Sequence, residues 1–109
     1  MISKFHGPFD YTDSVVSNWP YSLKGVYYCG NSTNGVVKNM YIGRSTGDSG
    51  IRGRLLDHLR EDSWQDVTLF WYRECGTDEE AIALETSEIQ THQPKYNTVG
   101  RKVGLFVHH

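Results

Sequence analysis

The sequence predicts an α/β domain, an α+β sandwich whose small, mostly antiparallel three-stranded sheet is flanked by helices in the order ββαβα. Three observations predict it. Asn34-Gly35 separates two segments rich in β-branched and aromatic residues, a strong hairpin signal. Ile51, Leu55 and Leu59 recur at four-residue spacing, as on one face of a short helix. An apolar-centred run at 67–75 is followed by Thr77 and, three residues on, Glu80, which together read as a capping box.

With 109 residues the chain has room for one core. Its 38% hydrophobic content and 14 aromatics (Trp 3, Tyr 7, Phe 4) exclude a disordered tail. Residues 1–24 read as an irregular, aromatic-rich arm that covers the domain, broken at Trp19-Pro20. Residues 25–29 (Gly-Val-Tyr-Tyr-Cys) form the first strand and 36–42 the return strand. The loop at 45–50 is rich in Ser and Gly and leads into a helix at 51–60. A buried strand at 67–75 ends at Gly76, and the capped helix runs from Thr77 to about Thr91, where Pro94 bars its continuation. Residues 100–109 form a tail, and 103–107 are apolar enough for an edge strand.

The formal net charge is −2, which argues against a protein that coats nucleic acid by bulk charge. The distribution is uneven. Residues 38–60 hold Lys38, Arg44, Arg52, Arg54 and Arg60 against Asp48 and Asp57, whereas 61–88 hold nine acids against Arg73 alone. A phosphate-facing surface on the basic segments is therefore compatible with the acidic total.

Three groups of residues break the pattern of an ordinary core. Glu85 lies four residues after Ala81 and four before Ile89, on the stripe those residues define. A carboxylate there must be paired, hydrogen-bonded, metal-bound or able to reach solvent. Arg54 and His58 share a helix face, and guanidinium beside imidazole suits phosphate chemistry as well as it suits a solvated surface. Tyr27 and Tyr41 lie on the two arms of the hairpin.

Taken together, these residues resemble the GIY-YIG nuclease family. Gly25-Val26-Tyr27 is similar to the first signature triplet, and Tyr41-Ile42-Gly43 matches the second in full. The helix with Arg54 and His58, the helix glutamate Glu85 and the segment Pro94-Lys95-Tyr96-Asn97 follow in family order. The resemblance spans 25–99 as a GIY-YIG nuclease-like catalytic domain, outside which lie the arm at 1–24 and the tail at 100–109. Thirteen residues separate Tyr27 from Tyr41, which implies a long hairpin tip. The four-residue spacing to His58 assigns the catalytic arginine to Arg54 rather than Arg52.

The resemblance implies metal-dependent hydrolysis of DNA phosphodiesters. Glu85 would be the single protein ligand of a Mg²⁺ ion, for which Mn²⁺ could substitute. Arg54 would stabilise the transition state, Tyr27 would be the general base with its phenol pKa lowered by nearby cations, and His58 would take the proton or orient the tyrosine. Tyr41 would position water or phosphate, and Asn97 would brace the site. Gly43 would let the backbone approach the bound strand, with Arg44 and Ser45 beside it and Arg52, Arg60 and Lys95 contributing to nucleic-acid binding.

Two other classes remain. One is a module that binds nucleic acid without cleaving it, through Arg44, Arg52, Arg54, Arg60, Arg101 and Lys102. The other is a thiol or zinc site, against which the wide separation of Cys29 and Cys75 argues in favour of buried, inert cysteines. The expected partner is DNA, single-stranded, duplex or branched, bound by a monomer or homodimer. No signal peptide or membrane span is expected, and an intracellular, cytoplasmic location follows.

Overall fold

The computed structural model describes residues 2–18, 24–45, 50–60, 64 and 66–97. The elements run β1 (His6–Asp10), α1 (Asp13–Ser17), β2 (Gly25–Thr33), β3 (Val36–Ser45), α2 (Gly50–Arg60), β4 (Leu69–Glu74) and α3 (Asp78–His92). Four strands form one antiparallel sheet in the order β1-β4-β2-β3. The sheet thus has four strands where three were expected. The extra one comes from the arm, expected to be irregular, which supplies both β1 and α1. The edge strand expected at 103–107, the loop at 46–49 and the break at Trp19-Pro20 lie outside the described residues.

The hairpin turns at Asn34-Gly35, both at positive φ, as the Asn-Gly signal requires. Near its middle the pairing steps from Cys29↔Tyr41 to Gly30↔Asn39, so Met40 is the extra residue of a β-bulge. Alternation along the strands then sorts side chains onto two faces. One face carries Tyr27, Cys29, Phe70 and Tyr72, and packs with Met40, Ile51 and Leu55. The other carries Val26, Tyr28, Ile42 and Trp71, and packs with Cys75 and Ala81, against which Leu84 and Ile89 of α3 are seated. Ile82 of the same helix is exposed.

Each helix is held by specific bonds as well as by its apolar face. The Tyr11 hydroxyl, just beyond β1, donates to the Leu55 carbonyl of α2 at 2.7 Å, and Val16 of α1 joins the same core. The arm therefore sets the position of α2. At the start of α3 the Thr77 hydroxyl accepts from the Glu80 amide at 3.1 Å while the Glu80 carboxylate accepts from the Thr77 amide at 3.3 Å, the capping box expected from the sequence. Tyr28 of β2 donates to Glu88 of α3 at 2.7 Å and fixes that helix to the sheet.

Two glycines of the signature triplets have a steric cause. A Cβ on Gly25 would stand 2.2 Å from the Arg73 carbonyl oxygen of β4. A Cβ on Gly43 would stand 2.5 Å from the Tyr27 hydroxyl oxygen and 2.6 Å from the ring carbon that bears it. A close approach at Gly43 is made by Tyr27, its cross-strand partner. Gly43→Ala is expected to destabilise the fold by about 2 kcal/mol or more, the cost of forcing a carbon into a filled space. Urea unfolding measures it, and a midpoint equal to wild type would contradict this packing.

Candidate active site

Tyr27 on β2, Tyr41 on β3 and His58 on α2 meet on the α2 face of the sheet. The Tyr27 hydroxyl and His58 Nε2 are 3.2 Å apart, within hydrogen-bond reach. The Tyr27 and Tyr41 ring centroids are 6.1 Å apart, and Tyr41 meets the His58 ring edge-on at 5.2 Å. Arg54, one helical turn before His58, acts on both tyrosines through its charge. Its guanidinium is about half exposed and lies 3.8 Å from Asp57.

Tyr27 is only 1% exposed. Burial pushes its phenol well above the ordinary tyrosine value of 10.0, with Tyr41 and Cys29 adding to the shift and Arg54 opposing it. This reverses the expected direction: the adjacent cation is outweighed by desolvation. Tyr27 is accordingly a neutral hydroxyl at physiological pH. Tyr41 is less enclosed; burial raises it too, the Tyr27 hydroxyl works against the rise and the Glu85 charge adds to it.

Glu85 of α3, a helix packed on the opposite face of the sheet, bears on this group through its charge, which acts on Tyr41. Its side chain is 18% exposed, and one carboxylate oxygen accepts from Arg44 of β3 at 2.7 Å. The ion pair explains how a carboxylate is tolerated on the inward stripe of a helix. Arg44, expected to face nucleic acid, is committed to Glu85 while remaining partly exposed. Among the described residues no group of three or more His, Cys, Asp or Glu side chains converges. A lone carboxylate beside hydroxyls fits a hard divalent cation that keeps most of its waters, and does not fit a zinc site.

Asn97 stands apart from the Tyr27, Tyr41 and His58 cluster. Its side-chain oxygen accepts from the Ile42 amide at 2.7 Å and its side-chain nitrogen donates to the Ile42 carbonyl at 2.8 Å. β3 is an edge strand, so one amide side chain completes the ladder at the centre of Tyr41-Ile42-Gly43. The other expected nucleic-acid contacts are dispersed. Arg60 is exposed at the end of α2, Arg52 is half-buried near its start, and Lys95 lies 3.3 Å from Asp66. Ser45 needs correction. It is 5% exposed and paired with Gly25 at the end of β3, so its hydroxyl is not presented to a bound strand.

Trp64 and Asp66, near the site, carry no assignment from the sequence, and Tyr96 carries only its place in the segment 94–97. The Trp64 ring lies 4.4 Å from His58 and 4.6 Å from Tyr41, and Tyr96 stacks on Trp64 at 5.7 Å. No spacing or periodicity marks Trp64 in the sequence. The two cysteines are free and buried, in the separate cores on opposite faces of the sheet, and burial pushes both thiols up. A shared thiol or zinc site is thereby excluded for this pair. Among the described residues no helix is long and apolar enough to cross a membrane.

Tyr11, Tyr27, Tyr28 and Tyr41 all have phenols raised first by burial. An unfolded chain ionises them near pH 10, while the fold retains their protons, so stability falls as pH rises above that value. The phenolate absorbance of folded protein is expected to lag behind that of the urea-unfolded chain; superimposable titrations would refute the burial. Asn97→Ala is expected to cost about 1–3 kcal/mol, because Ile42 loses both outward partners. Loss of stability below 0.5 kcal/mol (roughly the scale of ordinary surface changes) in urea unfolding would show that water replaces them.

Comparison with known proteins gives one match. A family model described as the GIY-YIG catalytic domain aligns with residues 21–97. No curated protein and no solved structure matches the chain significantly. The matched span includes both signature triplets, Arg54, His58, Glu85 and Asn97, and excludes β1 and α1. On a match that covers most of its length, the chain belongs to the GIY-YIG family, with the nuclease-type fold of that domain.

Proposed function

We propose that the protein is a metal-dependent endonuclease that hydrolyses DNA phosphodiester bonds at the Tyr27, Tyr41, Arg54, His58 and Glu85 cluster. The observation that carries this reading is the meeting of Tyr27, Tyr41 and His58 from three separate elements, with Arg54 acting on both hydroxyls. A core assembled for stability alone has no need of an arginine and a histidine facing a tyrosine pair.

The raised phenol of Tyr27 changes the route of the proton from that of a free phenolate base. Water attacks phosphorus and gives its proton to the Tyr27 oxygen as the Tyr27 proton passes to His58 Nε2. The phosphorus bond to the 3′ oxygen breaks, and that oxygen takes a proton from solvent. Tyr27 thus ends neutral, as it began, and His58 carries the charge. Tyr41, nearer the solvent, orients the water. Arg54 binds a non-bridging oxygen and stabilises the charge that builds on it. Glu85 would hold a Mg²⁺ ion, which supplies neutralisation of the attacked phosphate and of the leaving oxygen. Arg44 then exchanges Glu85 for a phosphate of the substrate, a swap that keeps both charges partnered.

The Arg44–Glu85 pair also favours a second reading, a module that binds nucleic acid without cleavage, because the candidate metal ligand is already satisfied by an arginine. Cleavage assays separate the two. Plasmid and single-stranded DNA with Mg²⁺ are expected to be cut by wild type, with Arg54→Ala and Glu85→Ala reduced about 100-fold or more. Equal, metal-independent backgrounds in all three proteins, together with salt-sensitive binding, would establish the binding module instead.

A further inference from the structure

His58 sits between the signature ring of Tyr41 and a ring outside the signature triplets, Trp64. Trp64 lies 4.4 Å from its ring at an interplanar angle of 33°, and Tyr41 meets it edge-on at 5.2 Å. Trp64 is in turn stacked by Tyr96 at 5.7 Å. The Tyr96 hydroxyl donates to Asp66, and Lys95 reaches the same carboxylate at 3.3 Å while its ammonium lies 5.0 Å over the Tyr96 ring. A continuous series of contacts therefore runs from Asp66 through Tyr96 and Trp64 to His58, and from His58 to Tyr27.

An imidazole turns easily about its last torsion, because that torsion has a broad and roughly two-fold minimum. The 3.2 Å hydrogen bond to Tyr27 directs Nε2 at that hydroxyl. Ring contacts with Trp64 and Tyr41 restrain the ring plane, and only a ring held in this plane keeps Nε2 directed at the Tyr27 hydroxyl. Proton transfer demands that alignment, since an acceptor must stand within roughly 2.6–3.2 Å of the proton's donor.

We propose that Trp64 is a positioning residue that holds the His58 imidazole with Nε2 facing Tyr27, and that the Asp66, Lys95 and Tyr96 cluster holds Trp64 in place. The proposal rests on the relay described under Proposed function and adds the group that orients it. Trp64 touches no reacting atom; it acts through His58.

The experiment combines imidazole ¹⁵N spectra of DNA-free protein with steady-state cleavage kinetics, for wild type, Trp64→Ala, Trp64→Phe and Tyr96→Phe. The His58 signals are assigned by their loss in His58→Gln. Trp64→Ala is expected to shift the His58 nitrogen resonances toward the averaged values of a rotating ring. It should lower kcat by about 10- to 100-fold, within the contribution of a positioned acid–base group, with KM changed less than twofold. Trp64→Phe, which keeps a flat ring against His58, is expected to restore most of both signals. Tyr96→Phe, which loses only the tie to Asp66, should show a smaller change in the same direction and stands in if Trp64→Ala fails to fold. Unchanged His58 resonances in folded Trp64→Ala and Tyr96→Phe would overturn the proposal, as would a loss confined to KM. If wild type itself cuts no DNA, the nuclease reading fails, and the nitrogen spectra still decide whether Trp64 orients His58.

Discussion

Tyr27 lies flat across Gly43, with no space between them for a single carbon atom. The rest of the site depends on that contact. The phenol is pressed against the neighbouring strand, so its hydroxyl emerges where α2 crosses the sheet and meets His58. A larger residue at 43 would lift the ring, and the hydroxyl would leave both His58 and the reach of Arg54. The glycine ending the second triplet and the tyrosine ending the first are thus two halves of one steric arrangement.

The same packing sets the electrostatics. A phenol buried so completely cannot ionise at neutral pH even beside a guanidinium, because the cost of placing charge in the core exceeds the attraction. Arginine and tyrosine therefore work as a cation and a neutral hydroxyl, not as an ion pair. Glu85 shows the converse case: a carboxylate largely withdrawn from water is ion-paired with Arg44 at 2.7 Å. The acidic total of the chain and the basic character of residues 38–60 meet in that pair, where the negative segment supplies one partner and the positive segment the other.

Rigidity comes from groups with no chemistry of their own. Asn97 completes the ladder of an edge strand at Ile42, between Tyr41 and Gly43. Tyr11 ties the arm to the α2 backbone at Leu55, one residue from Arg54 and three from His58. The part of the arm that holds β1, Tyr11 and α1 is outside the matched family span, yet it carries a strand of the sheet and a brace for the helix that bears Arg54 and His58.

Much of this was legible in the sequence where the physics is local. The Asn34-Gly35 turn, the Thr77–Glu80 capping box, the four-residue apolar spacing of α2 and the ordered signature residues each depend on near neighbours or on a motif, and each predicted element exists. The irregular reading of the arm missed β1, because an edge strand containing Gly7 and Pro8 has no alternating pattern and is stabilised by pairing with β4, some sixty residues away. The direction of the Tyr27 shift was missed because burial depends on everything packed around a ring, while a nearby arginine can be read from spacing. Ser45 was misplaced for the same reason. The sequence by itself determined which chemical groups this protein has and the order of its hairpin and two longer helices. Only the tertiary structure decided which of those groups meet, which are desolvated and which are already paired, because those outcomes are set by contacts between residues far apart in the chain.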